Sequence, residues 1–262
     1  MKSINSHNIL KISVIIPTFC EELNIKRTLM AIKGQKCCVP FEIFVIDGGS
    51  TDNTVKIAKN YAQTEIAPVC GKANQINFIV PKTFGDLLIF IDADTIIPDN
   101  YLQKMYTFFN KDPTLLACSA RMKYTDFRNL IFKLGSRKYT LTIYEFQNAA
   151  SHLYYFLKYH FGYPELSGCN IVVRRDIFFK VGGFKNPPNS WGLDKVFSDS
   201  ILNLIRITKF GKIKTLTSIS VLTNARKVSI IRGLKRYYNY NTKYDIYSEL
   251  ATEPFKNKKI KR

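Results

Sequence analysis

Four carboxylates at intervals along the chain are placed where chemistry is done. The first pair closes the run Leu87-Leu88-Ile89-Phe90-Ile91-Asp92-Ala93-Asp94-Thr95. Five apolar residues read as a buried strand, and strand alternation puts Asp92 and Asp94 on one side with Ala93 facing away. Two like charges at the end of such a strand repel each other and resist desolvation, so water or a cation must neutralise them. A hard divalent ion that takes oxygen ligands and bridges to phosphates would do so, which makes Asp92 and Asp94 metal candidates. A solvated Asp-x-Asp turn is the alternative. The third carboxylate, Asp47, opens Asp47-Gly48-Gly49-Ser50-Thr51-Asp52-Asn53-Thr54 and shares that segment with the fourth, Asp52. The segment lacks both glycine-rich phosphate-loop spacings. It offers instead an acceptor for N–H donors such as those of a uracil or guanine base, with glycines that allow close approach to the backbone. An ordinary strand-to-helix turn with a good cap is the alternative there.

The elements that must position these groups alternate. Ile12 to Ile16 is a β-branched strand stopped by Pro17, and Glu21 to Ile32 is a helix with Ile25, Leu29 and Ile32 at helical spacing. Phe41 to Ile46 is a strand, followed by a helix that Ser50 or Thr51 caps. A short strand falls near Glu65 to Val69, a helix from Lys72 to Val80, the strand Asp86 to Ile91, a helix from Pro98 to Phe109, and a strand from Leu115 to Ala120. Strands alternating with helices of this length predict an α/β fold, a mostly parallel, doubly wound sheet flanked by helices. Ligands bind beyond the carboxyl ends of such strands, so Pro17-Thr18, Asp47 to Asp52 and Asp92 to Thr95 should meet along one edge.

Composition bounds the rest. The chain has 262 residues, 46% hydrophobic and 23% charged, enough for a sizeable core. No apolar run reaches the roughly 18 residues of a membrane span, and Met1 to Lys11 lacks the apolar core of a signal peptide, so a cytoplasmic location is expected. Cys20, Cys37, Cys38, Cys70, Cys118 and Cys169 show no C-x-x-C spacing and no accompanying His cluster. Reduced, buried thiols are expected rather than a zinc site, with Cys37-Cys38 in a loop. The net charge of +19 is concentrated at the end: from Ile205 to Arg262, 15 Lys/Arg accompany only three acids. Such a stretch suits an anionic partner: nucleic acid, an anionic membrane surface or a phosphate-bearing substrate. Residues 121–163 hold 12 of the 35 aromatic residues with seven Lys/Arg. Tyr154, Tyr155, Phe156, Tyr159 and Phe161 predict an amphipathic helix or hairpin, either packed on the sheet as core or set at a membrane interface.

The ordered set of motifs resembles the family 2 glycosyltransferases. It comprises Ser13-Val14-Ile15-Ile16-Pro17-Thr18 with Glu21, then Asp47 to Asp52, then Asp92-Ala93-Asp94. Gly168-Cys169-Asn170 through Arg174-Arg175-Asp176 and Val181-Gly182-Gly183-Phe184 follow, and last Ser198-Asp199-Ser200-Ile201-Leu202 with Arg206 and Gly211-Lys212. The likeness covers roughly 12 to 230, and it implies a GT-A fold and inverting sugar transfer from a nucleotide-diphosphate sugar. Residues 1–230 would form the catalytic domain, with a nucleotide-sugar half over 12–120 and an acceptor half over 121–230; residues 231–262 would be a basic extension. The resemblance further implies that Pro17, Thr18 and Glu21 line the nucleoside pocket, that Asp47 holds the base, and that Ser50 and Asp52 lie nearby. Lys72 and Asn77 would border the nucleotide. Asp92 would contact the ribose or the surroundings of a Mn²⁺ or Mg²⁺ ion that Asp94 ligates. Gly168, Asn170 and Trp191 would shape the acceptor floor, and Arg226 of the Arg226-Lys227 pair would close over the diphosphate. Asp199 would be the general base, with Asp194 the alternative because Ser198 stands where the family often has Glu. The acceptor would be a glycan or lipid-linked glycan, or a polyprenyl phosphate at a membrane surface to which the protein attaches peripherally. A non-catalytic nucleic-acid or anionic-surface protein is the competing class, and it leaves the strand-end acids unexplained.

Overall fold

The computed structural model describes residues 11–125, 130–134, 137–141, 143–162, 164–186 and 192–224. Its centre is an eight-stranded sheet in the order β3-β2-β1-β4-β9-β6-β10-β5. The parallel block is β3 (Gln63–Ile66), β2 (Phe41–Asp47), β1 (Ile12–Thr18) and β4 (Leu87–Ile91). Then β9 (Asn170–Arg174) runs antiparallel between β4 and β6 (Leu115–Thr125), and β10 (Lys212–Asn224) lies parallel to β6 with the two-residue β5 (Thr95–Ile96) on its edge. The sheet is therefore mixed, as expected for a mostly parallel one, with β9 and the edge strand β5 inverted. A separate hairpin joins β7 (Leu130–Leu134) to β8 (Arg137–Leu141).

The period-two pattern is apolar on both faces because both are covered. Ile12, Val14 and Ile16 of β1 and Leu87, Ile89 and Ile91 of β4 pack against α1 (Ile25–Lys33) and α4 (Tyr101–Lys111). On the other face Ile15, Leu88 and Phe90 meet α3 (Lys72–Ile79), α6 (Arg175–Lys180) and α7 (Leu193–Thr208). Two further helices, α2 (Thr54–Ala58) and α5 (Ile143–His160), complete the chain in the described residues.

Several local expectations are corrected. Strand β1 continues through Pro17 to Thr18, because β4 pairs with it only as far as Ile15, so the missing N–H of Pro17 is not needed on that side. Helix α1 begins at Ile25, four residues later than expected, after a turn in which the Glu21 carbonyl accepts from the N–H groups of Asn24 and Ile25. Neither Ser50 nor Thr51 caps α2: its cap position is Asn53, and Ser50 is bonded to Asp47 instead. Helix α4 starts at Tyr101, after Asn100 in the left-handed region at φ 60°. Strand β6 runs five residues past Ala120 because β10 accompanies it to Thr125. Since β4 ends at Ile91, Asp92 and Asp94 lie in a turn and not on an alternating strand.

Of the thiols, only Cys118 and Cys169 are buried; Cys20, Cys38 and Cys70 are exposed and Cys37 is half-buried. The aromatic stretch is a hairpin followed by a long helix, and on α5 and its end Leu153, Tyr154, Phe156, Leu157 and Phe161 face outward instead of joining the core. No helix among the described residues is long and apolar enough to cross a membrane. Trp191, Arg226, Lys227 and residues 231–262 lie outside the described residues.

Candidate active site

Beyond the carboxyl ends of β1, β2 and β4, the chain must leave the sheet, and the polar residues collect there. Asp47, the last residue of β2, is fully buried and its carboxylate is saturated. Oδ1 accepts from Thr18 Oγ1 at 2.9 Å and Ser50 Oγ at 2.5 Å; Oδ2 accepts from the Gly49 and Ser50 N–H groups at 2.8 and 2.6 Å. A buried carboxylate is tolerable on such terms. The group expected to hold a base is thus turned onto its own loop, and it does not line the cleft. Ser50 Oγ in turn accepts from the Cys20 N–H at 2.8 Å, which ties the loop after β2 to the loop after β1. Asp52 makes the next tie, accepting from the N–H groups of Glu22 and Thr54 at 3.2 and 3.0 Å and from Thr54 Oγ1. Burial acts to raise its pKa, but the hydrogen bonds from Thr54 and Glu22 outweigh it and hold the carboxyl below its ordinary value.

These ties frame a cavity of about 490 Å³ whose wall includes Pro17, Thr18, Glu21, Lys72, Asp92 and Asp94. Three members of its wall carry little signal in the sequence. Gln75 is buried, and its Nε2 donates to the carbonyls of Thr18 and Ile46 at 2.8 and 2.7 Å, closing the gap where β1 and β2 diverge. A lone glutamine in a helical stretch reads as an exposed position, so only packing reveals it. Cys20 and Cys70, noted only as thiols, also line this wall.

A second cavity of about 380 Å³ continues from the first, sharing Lys72, Asp92 and Asp94, and adding Gly168, Asp194, Tyr155 and Thr223. Its existence depends on β9 being antiparallel. Because Ile91 pairs with Asn170, the segment entering β9 comes to the end of β4, and the Asp92 N–H donates to the Cys169 carbonyl at 3.1 Å. Lys72 spans the junction: its Nζ donates to Asp92 Oδ1 and to the Gly168 carbonyl, the latter at 2.7 Å. Burial would lower the Lys72 pKa, but the Asp92 carboxylate outweighs it and, with a smaller push from Asp194, keeps the ammonium charged. At the far end of β10, Thr223 Oγ1 donates to Asp94 Oδ1 at 3.4 Å.

The two candidate bases separate here. Positions 194 and 199 on α7 lie about 140° apart around a helix of 3.6 residues per turn. Asp194, in the first turn, faces the cleft, and a Cβ on Gly168 would sit 3.1 Å from its Oδ2. Asp199 is 49% exposed on another side of the helix, where Lys195 Nζ donates to its Oδ2 at 2.6 Å. Of the two, Asp194 lines the cavity and Asp199 does not.

Asn77 and Asn170 are also placed elsewhere than expected. Asn77 exchanges hydrogen bonds with the backbone of Phe184, Nδ2 donating to its carbonyl at 2.6 Å and Oδ1 accepting from its N–H at 2.9 Å. That staple explains Gly182-Gly183: Gly183 has φ 70°, and a Cβ there would lie 2.5 Å from Asn77 Oδ1. Asn170 is fully buried and extends the β6–β9 ladder, Oδ1 accepting from the Ala120 N–H at 2.5 Å and Nδ2 donating to the Ala120 carbonyl at 3.3 Å. Arg174 and Arg175 sit at the other end of β9 and bond carbonyls and the Thr83 hydroxyl, far from the cleft in register. Cys169 is inert: burial, with a smaller push from Asp92, raises its thiol to about 11.

The residues present fit a divalent cation only in the company of another ligand. Among the described residues no three His, Cys, Asp or Glu side chains close a metal cage. Three carboxylates, Asp92, Asp94 and Asp194, nevertheless line the cavity with Lys72 as their cationic neighbour, and Asp92 is already paired with it. Such a field repels a diphosphate unless a cation intervenes, and Mg²⁺ or Mn²⁺ is commonly held by one or two carboxylates together with substrate phosphates.

Comparison with known proteins agrees with this geometry. Residues 13–182 match the family model "Glycosyl transferase family 2". The chain belongs to glycosyl transferase family 2. Among curated relatives it is 32% identical over 123 residues to O-antigen chain rhamnosyltransferase RfbN of Salmonella typhimurium, covering 45% of this chain and 39% of that protein. It is 28% identical over 149 residues to poly-beta-1,6-N-acetyl-D-glucosamine synthase of Staphylococcus aureus, covering 53% of this chain and 35% of the relative. The chain thus spans well under half the length of these relatives. The fold matches S. aureus TarS in complex with UDP-GlcNAc at a TM-score of 0.59 and 20% identity, over 85% of this chain and 60% of that one. It matches the mannosyltransferase PcManGT of Pyrobaculum calidifontis, in complex with GDP-Man and Mn²⁺, at 0.58 and 18% identity, over 88% and 61%. The fold is GT-A, and membership in this family displaces the non-catalytic nucleic-acid reading.

Proposed function

We propose that the chain moves a sugar, with inversion, from a nucleotide-diphosphate sugar to an acceptor hydroxyl, assisted by Mn²⁺ or Mg²⁺. One observation carries this reading: Lys72, Asp92 and Asp94 line both cavities, and Asp194, from a third segment, faces them across the second. The larger cavity, floored by Thr18 and Gln75, takes the nucleoside, and the smaller takes sugar and acceptor. Two structural neighbours are complexes with nucleotide sugars, UDP-GlcNAc and GDP-Man, which supports a donor of that class.

In this scheme Asp94, with Asp92, would hold the metal, which offsets charge developing on the departing diphosphate. Lys72 contributes a fixed positive charge at the same junction and anchors Asp92 and the Gly168 carbonyl. Asp194 takes the proton from the acceptor hydroxyl as its oxygen forms a bond to the anomeric carbon. The bond from that carbon to the diphosphate oxygen breaks, and its electron pair leaves with the nucleoside diphosphate. General-base help of this kind is worth about 10²–10⁴-fold. Asp47, Ser50 and Asp52 act at one remove by holding the loops in place.

A screen of nucleotide sugars, each with and without Mn²⁺ or Mg²⁺, tests this. Binding to the folded state raises apparent stability, so one donor should lift Tm and release its nucleoside diphosphate in a metal-dependent way. If no donor shifts Tm and none is turned over with either metal, the reading is wrong.

A further inference from the structure

The carboxylate of Asp194 lies in a slot bounded by two glycines. A Cβ on Gly168 would sit 3.1, 3.2 and 3.3 Å from its Oδ2, Cγ and Cβ, and a Cβ on Gly192 would sit 2.6 Å from its Oδ1. At both glycines the nearest atoms such a Cβ would meet belong to Asp194, one oxygen to each. Neither glycine is required by its backbone. Gly192 has φ -68° and ψ 147°, open to any residue, and Gly168 is not in the left-handed region. Gly192 is also the N-cap of α7, where Ser, Asp or Asn would satisfy a free N–H, and no side chain caps the helix. Glycine there forgoes a cap and leaves the space to Asp194. The backbone of Asp194 is fixed as well. The hydroxyl of the buried Ser198 donates to the Asp194 carbonyl at 2.7 Å and accepts from the Leu166 N–H at 2.9 Å. That pair of bonds docks the first turn of α7 on the segment that contains Gly168.

We propose that Gly192, Gly168 and Ser198 are positioning residues for Asp194, and that the absence of a side chain at 192 sets where its carboxylate points. The role rests on the reading of Asp194 as the base that takes the acceptor proton. Ser198 sets the place of the helical turn, and the two glycines leave the carboxylate one way to lie. A methyl group at 192 meets the free end of a side chain and not backbone, so Asp194 yields and the fold does not. The carboxylate must then withdraw by the better part of an ångström. A base has to stand within hydrogen-bond reach of the proton it removes, and misplacement on this scale costs up to about 10²-fold. Gly192 lines neither the donor cavity nor the one that holds Asp194, so a methyl group there adds nothing to either wall.

Hydrolysis of the donor tests it without an acceptor, since water then takes the place of the hydroxyl and Asp194 takes its proton. UDP-GlcNAc, GDP-Man and the other nucleotide sugars of the screen are the probes, with kcat from released nucleoside diphosphate, donor Kd from calorimetry, and Tm alongside. Gly192→Ala and Gly192→Ser should each lower kcat by about 10–10²-fold with donor Kd unchanged. Gly192→Ser should also hold or raise Tm, because serine is the better cap, and a merely structural glycine would not part stability from rate in this way. Once Asp194→Asn has removed the base, adding Gly192→Ala should cost less than about a further twofold. Three results overturn the proposal and leave the base reading standing: unaltered kcat in both Gly192 variants, a Tm that falls in step with kcat in Gly192→Ser, or an undiminished loss when Gly192→Ala is added to Asp194→Asn. Full activity of Asp194→Asn alone, or no turnover of any donor, refutes the base reading and takes the proposal with it.

Discussion

The two halves of the cleft are built on opposite terms. On the donor side the polar side chains are already engaged with the protein: Asp47 accepts four hydrogen bonds, Gln75 joins two strand ends, and Ser50 and Asp52 tie the loops after β1 and β2 together. On the side of α5 and β6, Arg121 Nε is buried with no hydrogen-bond partner among the described residues, and a long helix shows aromatic and aliphatic side chains to the outside. A rigid pocket suits a ligand whose shape does not vary, since pre-organisation lowers the ordering cost of binding.

Substitutions can break this contrast. The largest effect is expected at the junction of the two halves. Asp94→Ala should lower sugar transfer by about 10³-fold, the several kcal/mol that a metal ion contributes, with the circular-dichroism spectrum and Tm unchanged. Full activity in that variant would remove Asp94 from the metal site. Next, Asp194→Asn should cost about 10²–10⁴-fold in kcat, whereas Asp199→Asn should stay within about twofold because it loses only an exposed pair with Lys195. The reverse ranking would return the base to Asp199.

Smaller effects sharpen the claim that donor-side polar residues support the loops. Gln75→Leu removes a donor from two carbonyls, of which Thr18 keeps the Gly48 N–H, and should destabilise by about 1–3 kcal/mol in urea denaturation. Asn77→Ala should cost a similar amount while leaving the donor KM unchanged; a raised donor KM with unaltered stability would make Asn77 a nucleotide contact after all. The smallest effect is a pH dependence. Asp52 has its folded pKa below the ordinary 3.8, so the unfolded chain binds the proton more readily. Its contribution to stability is present above that value and is lost as pH falls through the lower folded pKa. Asp52→Asn should therefore lower stability near neutral pH but flatten its decline on acidification, read as Tm against pH.

Much of the donor side was legible because it follows from local rules. The β-branched runs at 12–16 and 41–46 and the apolar run at 87–91 could only be buried strands, and polar residues directly after parallel strands must gather at one edge. The errors came where a neighbour decided the outcome. Whether Pro17 ends a strand depends on where β4 stops. Whether Ser50 caps a helix depends on Asp47 being close enough to take its hydroxyl. Asn77 and Asn170 have the polarity of site residues, and only the approach of Phe184 and Ala120 shows that they serve the backbone. Gln75 escaped notice for the converse reason, as a polar side chain on a helix that carries no sign of burial.

The sequence by itself determined the alternation of strands and helices, the positions of Asp47, Asp92 and Asp94 at strand ends, and the family those motifs resemble. These depend on residue type and short spacing, which local sterics and hydrophobic periodicity translate directly. Tertiary structure alone decided that β9 runs antiparallel between β4 and β6, bringing Gly168 to Asp92; that Asp194 faces the cleft while Asp199 does not; and that Arg121 Nε is buried without a hydrogen-bond partner among the described residues. Each of these is a relation between segments distant in the chain, set by packing of the whole and carried by no single stretch of it.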